Sequence, residues 1–173
     1  MANVLMIIPP ERFRDEELFI TKEELENAGN RVSIASTTKG VILGSRGGKV
    51  KAELLLAGIN TKEFEAVVFV GGGGSKLLFD NIDALKIAKG MYQDKKIVSA
   101  ICLAPVILAN AGILKGKKAT VSGIESKTIE AKGAKYTEPG VTIDGLIVTA
   151  NAPKASRRFG QAIVELLEKN SYE

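Results

Sequence analysis

The 173-residue chain has no histidine, no tryptophan and a single cysteine, Cys102. Without an imidazole, hydrolysis through a Ser-His or Cys-His couple has no base in this chain. One thiol cannot close an internal disulfide, and no Cys/His cluster supplies the soft ligands of a structural zinc site. Only scattered carboxylates remain as metal ligands, so no metal is expected. Aromatic residues are 5% of the chain, and the net charge of +4 is the balance of 24 Lys and Arg interspersed with 20 acids. No basic run is interleaved with stacking rings, so the charge is read as a solvated lysine-rich surface and no nucleic-acid partner is expected. The opening MANVLMIIPP lacks a basic stretch, and no later apolar run approaches a membrane span. The expectation is a soluble cytoplasmic protein with no membrane partner. There is no fixed-period repeat, low-complexity stretch or Pro/Ser-rich linker, and the length suits one core, so a single domain over residues 1–173 is expected.

What is present is an alternation of short apolar runs and helical stretches. VLMII (4–8), RVSIAS (31–36), AVVFV (66–70) and KIVSAI (96–101) read as strands. DEELFITKEELENAG reads as a helix with acids in its first turn and Gly29 as its stop. VILG and KVKAELLL flank the turn SRGG and predict a small β-hairpin outside the main repeat. A helix is expected from about Lys76 to Tyr92 and another after Cys102. The remainder repeats the scheme with a strand in KKATVS, a helix through IESKTIEAKG, the β-prone pieces AKYTE, VTIDG and LIVTA, and a last helix through FGQAIVELLEK. This pattern predicts an α/β three-layer sandwich, a mostly parallel sheet with helices on both faces.

Ligands of such sheets bind outside the carboxyl ends of the strands. Three features fall there: the segment from Pro9 to Glu17, the glycines Gly71 to Gly74, and Cys102. Cys102 stands at a strand-to-helix junction, with small Ala100 and Ala104 two residues to either side and Pro105 suited to a first helical turn. Helix-entrance N–H groups would lower its pKa from about 8.5 and favour the thiolate. The alternative is a small buried hydrophobe. The glycines of VGGGGSK suit an anion cradle or one wall of an oxyanion hole, or equally a flexible turn. A P-loop and a dinucleotide fingerprint both fail on spacing. Most acids of RDEEL are ordinary first-turn charges, and spacing does not say whether one turns inward to share a proton with the thiol.

The N-terminal strand running into FRDEEL, the turn GSRGG, the strand AVVFVGGGG and the segment SAICLAPVILANAGILKGKKAT together resemble the DJ-one/ThiJ/PfpI superfamily, from Val4 to about Leu167. The resemblance implies a flavodoxin-like fold, a nucleophilic Cys102 on an elbow, and Glu17 as its partner acid. It implies an oxyanion site from the backbone N–H groups of Gly72 and Leu103, with Gly73 beside them and Arg46 of the SRGG turn contacting an anion. It also implies a homodimer. Four positions depart from relatives' patterns. Leu103 replaces the His that follows the Cys in PfpI-type proteases, and Lys76 replaces their Glu from a neighbouring subunit. Ser122 stands where other relatives carry a pocket His, and Asn151 where they carry an Arg. A proteolytic triad is therefore absent.

Three functions remain open at this point. Cys102 adds to a small reactive aldehyde such as methylglyoxal while Glu17 moves the protons, the glyoxalase or deglycase activity of relatives. Alternatively, Cys102 is a redox switch of a stress-response or chaperone-like protein, oxidised to sulfinate by peroxide. The third is a pocket that binds a small anion through Arg46 and the glycine loop. The expected partner is a small-molecule carbonyl or anion, and no cofactor, nicotinamide or flavin is expected.

Overall fold

The computed structural model describes residues 1–138 and 140–171. The uninterrupted Val, Ile and Leu runs form strands buried on both faces, the signature of a parallel sheet covered by helices. Seven strands lie in the order β10-β11-β7-β6-β1-β2-β5. They are β1 (Asn3–Ile7), β2 (Arg31–Ser36), β5 (Leu54–Leu55), β6 (Ala66–Phe69), β7 (Ile97–Ile101), β10 (Val141–Asp144) and β11 (Ile147–Ala150). All pair in parallel except β10 with β11. Alternation within each strand divides the core. Val4, Met6 and Val68 face α1 (Asp15–Asn27) and α5 (Ser156–Asn170), while Leu5, Ile7, Val67 and Phe69 face α2 (Ile82–Gln93) and α3 (Pro105–Asn110). The expected three-layer α/β architecture is thus present, and so is the hairpin, β3 (Gly40–Leu43) paired antiparallel with β4 (Lys49–Ala52).

Three local expectations change. The helix foreseen from Lys76 begins as a short 3-10 segment over Gly73–Leu78, and α2 starts only at Ile82. Asn81 is the reason, since its side chain accepts from Ala84 N at 2.9 Å and caps a new helix there. KKATVS contributes only β8 (Lys118–Ala119), paired with β9 (Lys135–Tyr136) in a separate two-stranded sheet. Beyond it the chain is tied otherwise: Thr120 N donates to Thr149 Oγ1 and Ser122 N to the carbonyl of Cys102. KVKAELLL splits, its second half leaving the hairpin to become β5 at the sheet edge. The helix expected through IESKTIEAKG is the short α4 (Ser126–Ala131). None of the described helices is long and apolar enough to cross a membrane.

The order of strands fixes where a ligand can sit. After β1 the chain moves to one side for β2 and β5, and it then crosses over to place β6, β7 and β11 on the other. The loops after β1 and β6 consequently diverge, leaving a crevice at their carboxyl ends.

Candidate active site

Cys102 follows directly after β7 and has φ 65°. An L-residue in this left-handed region carries roughly 1–2 kcal/mol of strain. The conformation is imposed from both sides of the residue, because Cys102 N donates to Ala150 O at 2.8 Å and Cys102 O accepts from Ser122 N at 2.7 Å. Ala100 and Ala104, both fully buried, leave room for the sharp turn. The sulfur-bearing residue is only partly buried, so it is not the sealed hydrophobe of the alternative reading.

The three acids that open α1 do three different things. Asp15 accepts from the backbone N–H groups of Arg46 (2.9 Å) and Gly48 (2.7 Å), fastening the hairpin turn to the helix. Glu16 pairs with Arg14, whose Nε and Nη2 lie 3.0 and 2.9 Å from its two oxygens. Glu17 turns inward on the face shared with Leu18, Thr21 and Leu25 and is fully buried. Its Oε1 accepts from Gly71 N at 2.8 Å. Its Oε2 is buried with no hydrogen-bond partner among the described residues, and the carboxyl and the Cys102 thiol bear on each other's ionisation.

The glycine loop makes that approach possible. A Cβ on Gly71 would lie 2.7 Å from Glu17 Oε1 and 3.0 Å from Cys102 Cβ, so acid and cysteine converge on the same point. Gly72 has φ 110°, and a Cβ there would meet Arg12 O and Arg14 N at 2.5 Å. Only glycine fits. The N–H groups of Gly72 and Leu103 both face the Cys102 sulfur, and this is the pair expected to form the oxyanion site. Gly73 is exposed and lies beneath the Arg12 guanidinium, whose Nη1 would be 3.5 Å from a Cβ at that position.

Burial raises the Glu17 carboxyl to about 8, against the pull of the Gly71 N–H, and so keeps its proton on at neutral pH. Burial and the charge of an ionised Glu17 push the Cys102 thiol up to about 12, against the two backbone donors. The lowering expected from a helix entrance is not delivered. α3 has six residues and begins three positions beyond the cysteine, so its dipole is small. Acid and thiol titrate as a coupled pair, the charge of Glu17 raising the thiol. A proton on Glu17 removes the opposing charge and adds an O–H donor to the two N–H groups around the sulfur.

A match to the DJ-1/PfpI family spans residues 2–166. The chain belongs to the DJ-1/PfpI family. It is 45% identical to an uncharacterized protein of Methanocaldococcus jannaschii over 98% of its own length and 84% of that protein's. It is 35% identical to a Pyrococcus furiosus protein named deglycase PfpI, over 95% of this chain and 99% of that one. Among solved structures, the ThiJ/PfpI domain protein from Brachyspira murdochii superposes with a TM-score of 0.95 at 35% identity, covering 96% of both chains.

Against that family background the substituted positions take definite places. Leu103 is nearly buried and presents its N–H, not a side-chain base, to the sulfur. Ser122 holds the cysteine carbonyl through its own N–H. Asn151 contacts Glu138 O at 3.4 Å, and Lys76 is exposed on the 3-10 segment. Arg46 is exposed at the hairpin turn, and its charge bears on Glu16. The cation whose charge bears on both Glu17 and Cys102 is Arg14, which the sequence reading passed over. Its signal was its position as the residue before the helical acids, where a backbone N–H is free to pair. Arg14 N donates to Gly71 O at 3.0 Å.

Proposed function

We propose that the protein is a cysteine-dependent enzyme acting on small reactive aldehydes, with Cys102 as nucleophile and Glu17 as acid and base. The observation that carries this reading is the convergence at one sulfur of a strained elbow, two backbone N–H donors and a buried carboxyl that keeps its proton at neutral pH. The name of the Pyrococcus furiosus relative supports it.

For methylglyoxal the steps balance as follows. The Cys102 sulfur adds to the aldehyde carbon as its proton passes to water, and the N–H groups of Gly72 and Leu103 receive the developing oxyanion. Glu17, having given its proton to that oxygen, takes the proton from the former aldehyde carbon. Returning it to the adjacent carbon, while the hydroxyl proton passes through water to the neighbouring oxygen, leaves a thioester of lactate. Water hydrolyses the thioester, releasing lactate and the thiol, so one water is consumed and no outside oxidant or reductant is needed. A positioned carboxyl contributes roughly 100-fold to 10,000-fold to such transfers. Because the chain has no histidine, every proton in this scheme passes through Glu17 or water.

The test is lactate formation from methylglyoxal by the purified wild type, Cys102→Ser and Glu17→Gln. Wild-type turnover should fall to background in Cys102→Ser and by roughly 100-fold or more in Glu17→Gln. Undiminished turnover in Cys102→Ser defeats the proposal. A second reading has its own observation: a partly exposed cysteine in a chain with no second cysteine has no resolving thiol. Peroxide would therefore carry it past sulfenic to sulfinic acid. No turnover, with a gain of two oxygens at Cys102 under mild peroxide, selects that redox-sensing role.

A further inference from the structure

The fold segregates charges that the chain as a whole intersperses. Residues 82–135 hold ten lysines, no arginine and four acids, a net +6 within a chain of net +4, so the remainder is net −2. Every ion pair among the described residues lies in that remainder, in the loop after β1 or on α1 and α5. None of the ten lysines takes part in one.

Five of them meet at one small structure, the β8-β9 sheet and its flanks. Lys118 and Lys135 stand opposite each other in the parallel register, and both are exposed. Their neighbours Ala119 and Ala134 are buried in the core, so by strand alternation both lysines project from the same outer face. Lys115 packs over the backbone of Gly133, its Cγ 3.1 Å from where a Cβ would sit there, and Lys132 precedes that glycine. Lys117 turns the other way, its Nζ 5.9 Å from the centre of the Tyr92 ring near the end of α2. The acid built into the group is Asp144, which accepts from Lys118 N at 2.8 Å and whose charge bears on Lys117. Tyr92 shortly precedes β7, so the group lies toward the amino end of that strand. Cys102 follows its carboxyl end, five residues or roughly 16 Å away.

Packing does not account for this grouping. Like charges held opposite one another weaken a sheet. Cations complement the carboxyl ends of helices, but the last turns of α2, α3 and α4 carry none, and only Lys132 caps one of them. Charge gathered at a cost to the fold points to an anion from outside. Lysine meets phosphate as a point charge, without the fork of arginine. The two tyrosines offer no ring for a base to stack on, because Tyr92 lies against Lys117 and Tyr136 packs on the core. A single strand is thereby disfavoured. No exposed large aliphatic sits in the small sheet: Ile82 begins the far end of α2, Ile124 precedes α4, and Ile143 lies on β10 in a groove with Ala155. A membrane surface is held best where lysines accompany such an anchor.

We propose that the β8-β9 sheet and its flanking lysines form a docking surface for the phosphate backbone of a double-stranded nucleic acid, bound without reading its sequence. This replaces the sequence expectation of no nucleic-acid partner, and it does not rest on the aldehyde reading.

The test is fluorescence anisotropy of a labelled 20-base-pair DNA duplex, and of the RNA duplex of the same sequence, between 50 and 200 mM salt. The wild type should bind both, with log K falling against log salt at a slope of about −3.5, as for four neutralised phosphates. In the double variant Lys118→Gln/Lys135→Gln the slope should become shallower by about 2, and affinity at 50 mM salt should fall by about 10-fold. Lys51→Gln/Lys62→Gln, which removes the same charge from the hairpin and the loop before β6, should bind as the wild type does. The Lys118/Lys135 variant loses only exposed like charges, so its urea midpoint should not drop below that of the wild type. Failure of the wild type to bind either duplex at 50 mM salt overturns the proposal. Equal losses in the two double variants also overturn it, since net charge alone would then be responsible. So does capture by vesicles of equal parts phosphatidylglycerol and phosphatidylcholine that excess duplex does not reverse, which would assign the surface to a membrane.

Discussion

Gly72 shows how little freedom the residues around the sulfur have. Its φ of 110° suits glycine alone, and any Cβ would press on Arg12 O and Arg14 N at 2.5 Å, both backbone atoms without a side chain to swing away. Replacing it forces the glycine loop off the segment that delivers Glu17, and it removes an N–H from the sulfur. Gly72→Ala should lower stability by about 3 kcal/mol or more in urea unfolding and abolish turnover together. An alanine variant with the wild-type midpoint would show that the loop is not held against residues 12–14 as described. Cys102 is constrained in the same manner, by one hydrogen bond on its N–H and one on its carbonyl. Its strained backbone was readable from the flanking alanines and Pro105. The pKa of the thiol was not, because it depends on burial and on a carboxyl far away in sequence.

At the level of elements, α1 joins three parts of the molecule through consecutive acids. Asp15 binds the β3–β4 turn, Glu16 holds Arg14, and Glu17 enters the core. The sequence showed that the helix exists and that its first turn is acidic, but the macrodipole accounts for all three acids equally. Only the docking of the helix on the sheet tells them apart. Asp15→Ala leaves two backbone donors without their charged acceptor, which should cost about 1–2 kcal/mol. Amide exchange at Arg46 and Gly48 should quicken by at least about 10-fold while exchange in β1 and β6 changes only with global stability. Asp15→Asn keeps one acceptor oxygen and should fall between the two. Uniform exchange changes across the sheet would mean that the hairpin does not depend on this clasp. The positions of α2 and β8 were misjudged for a related reason. Their bounds are set by Asn81 and by bonds to Thr149 and Cys102, contacts that period and propensity do not register.

At the scale of the whole molecule, the absence of histidine becomes an experimental advantage. No side chain of this chain has an ordinary pKa between pH 5 and 8, so a pH-dependence of folding in that window reports Glu17. Its ordinary value is 4.5 and burial lifts it to about 8 in the folded protein. Between those values the folded state holds a proton that the unfolded state has released. Raising the pH therefore draws the equilibrium toward the unfolded chain. The stabilisation is complete below about pH 4.5 and drains away as the pH climbs to about 8, at up to about 1.4 kcal/mol per pH unit. The urea midpoint of the wild type should accordingly decline from pH 5 to pH 8, the reverse of what an ion-paired carboxylate would give. Glu17→Gln has nothing to titrate and should show a level midpoint across the same range. A wild-type midpoint that is flat or rises, or a Glu17→Gln variant that declines in parallel, would mean that the buried carboxyl does not retain its proton on folding, and the acid-base role assigned to Glu17 would go with it.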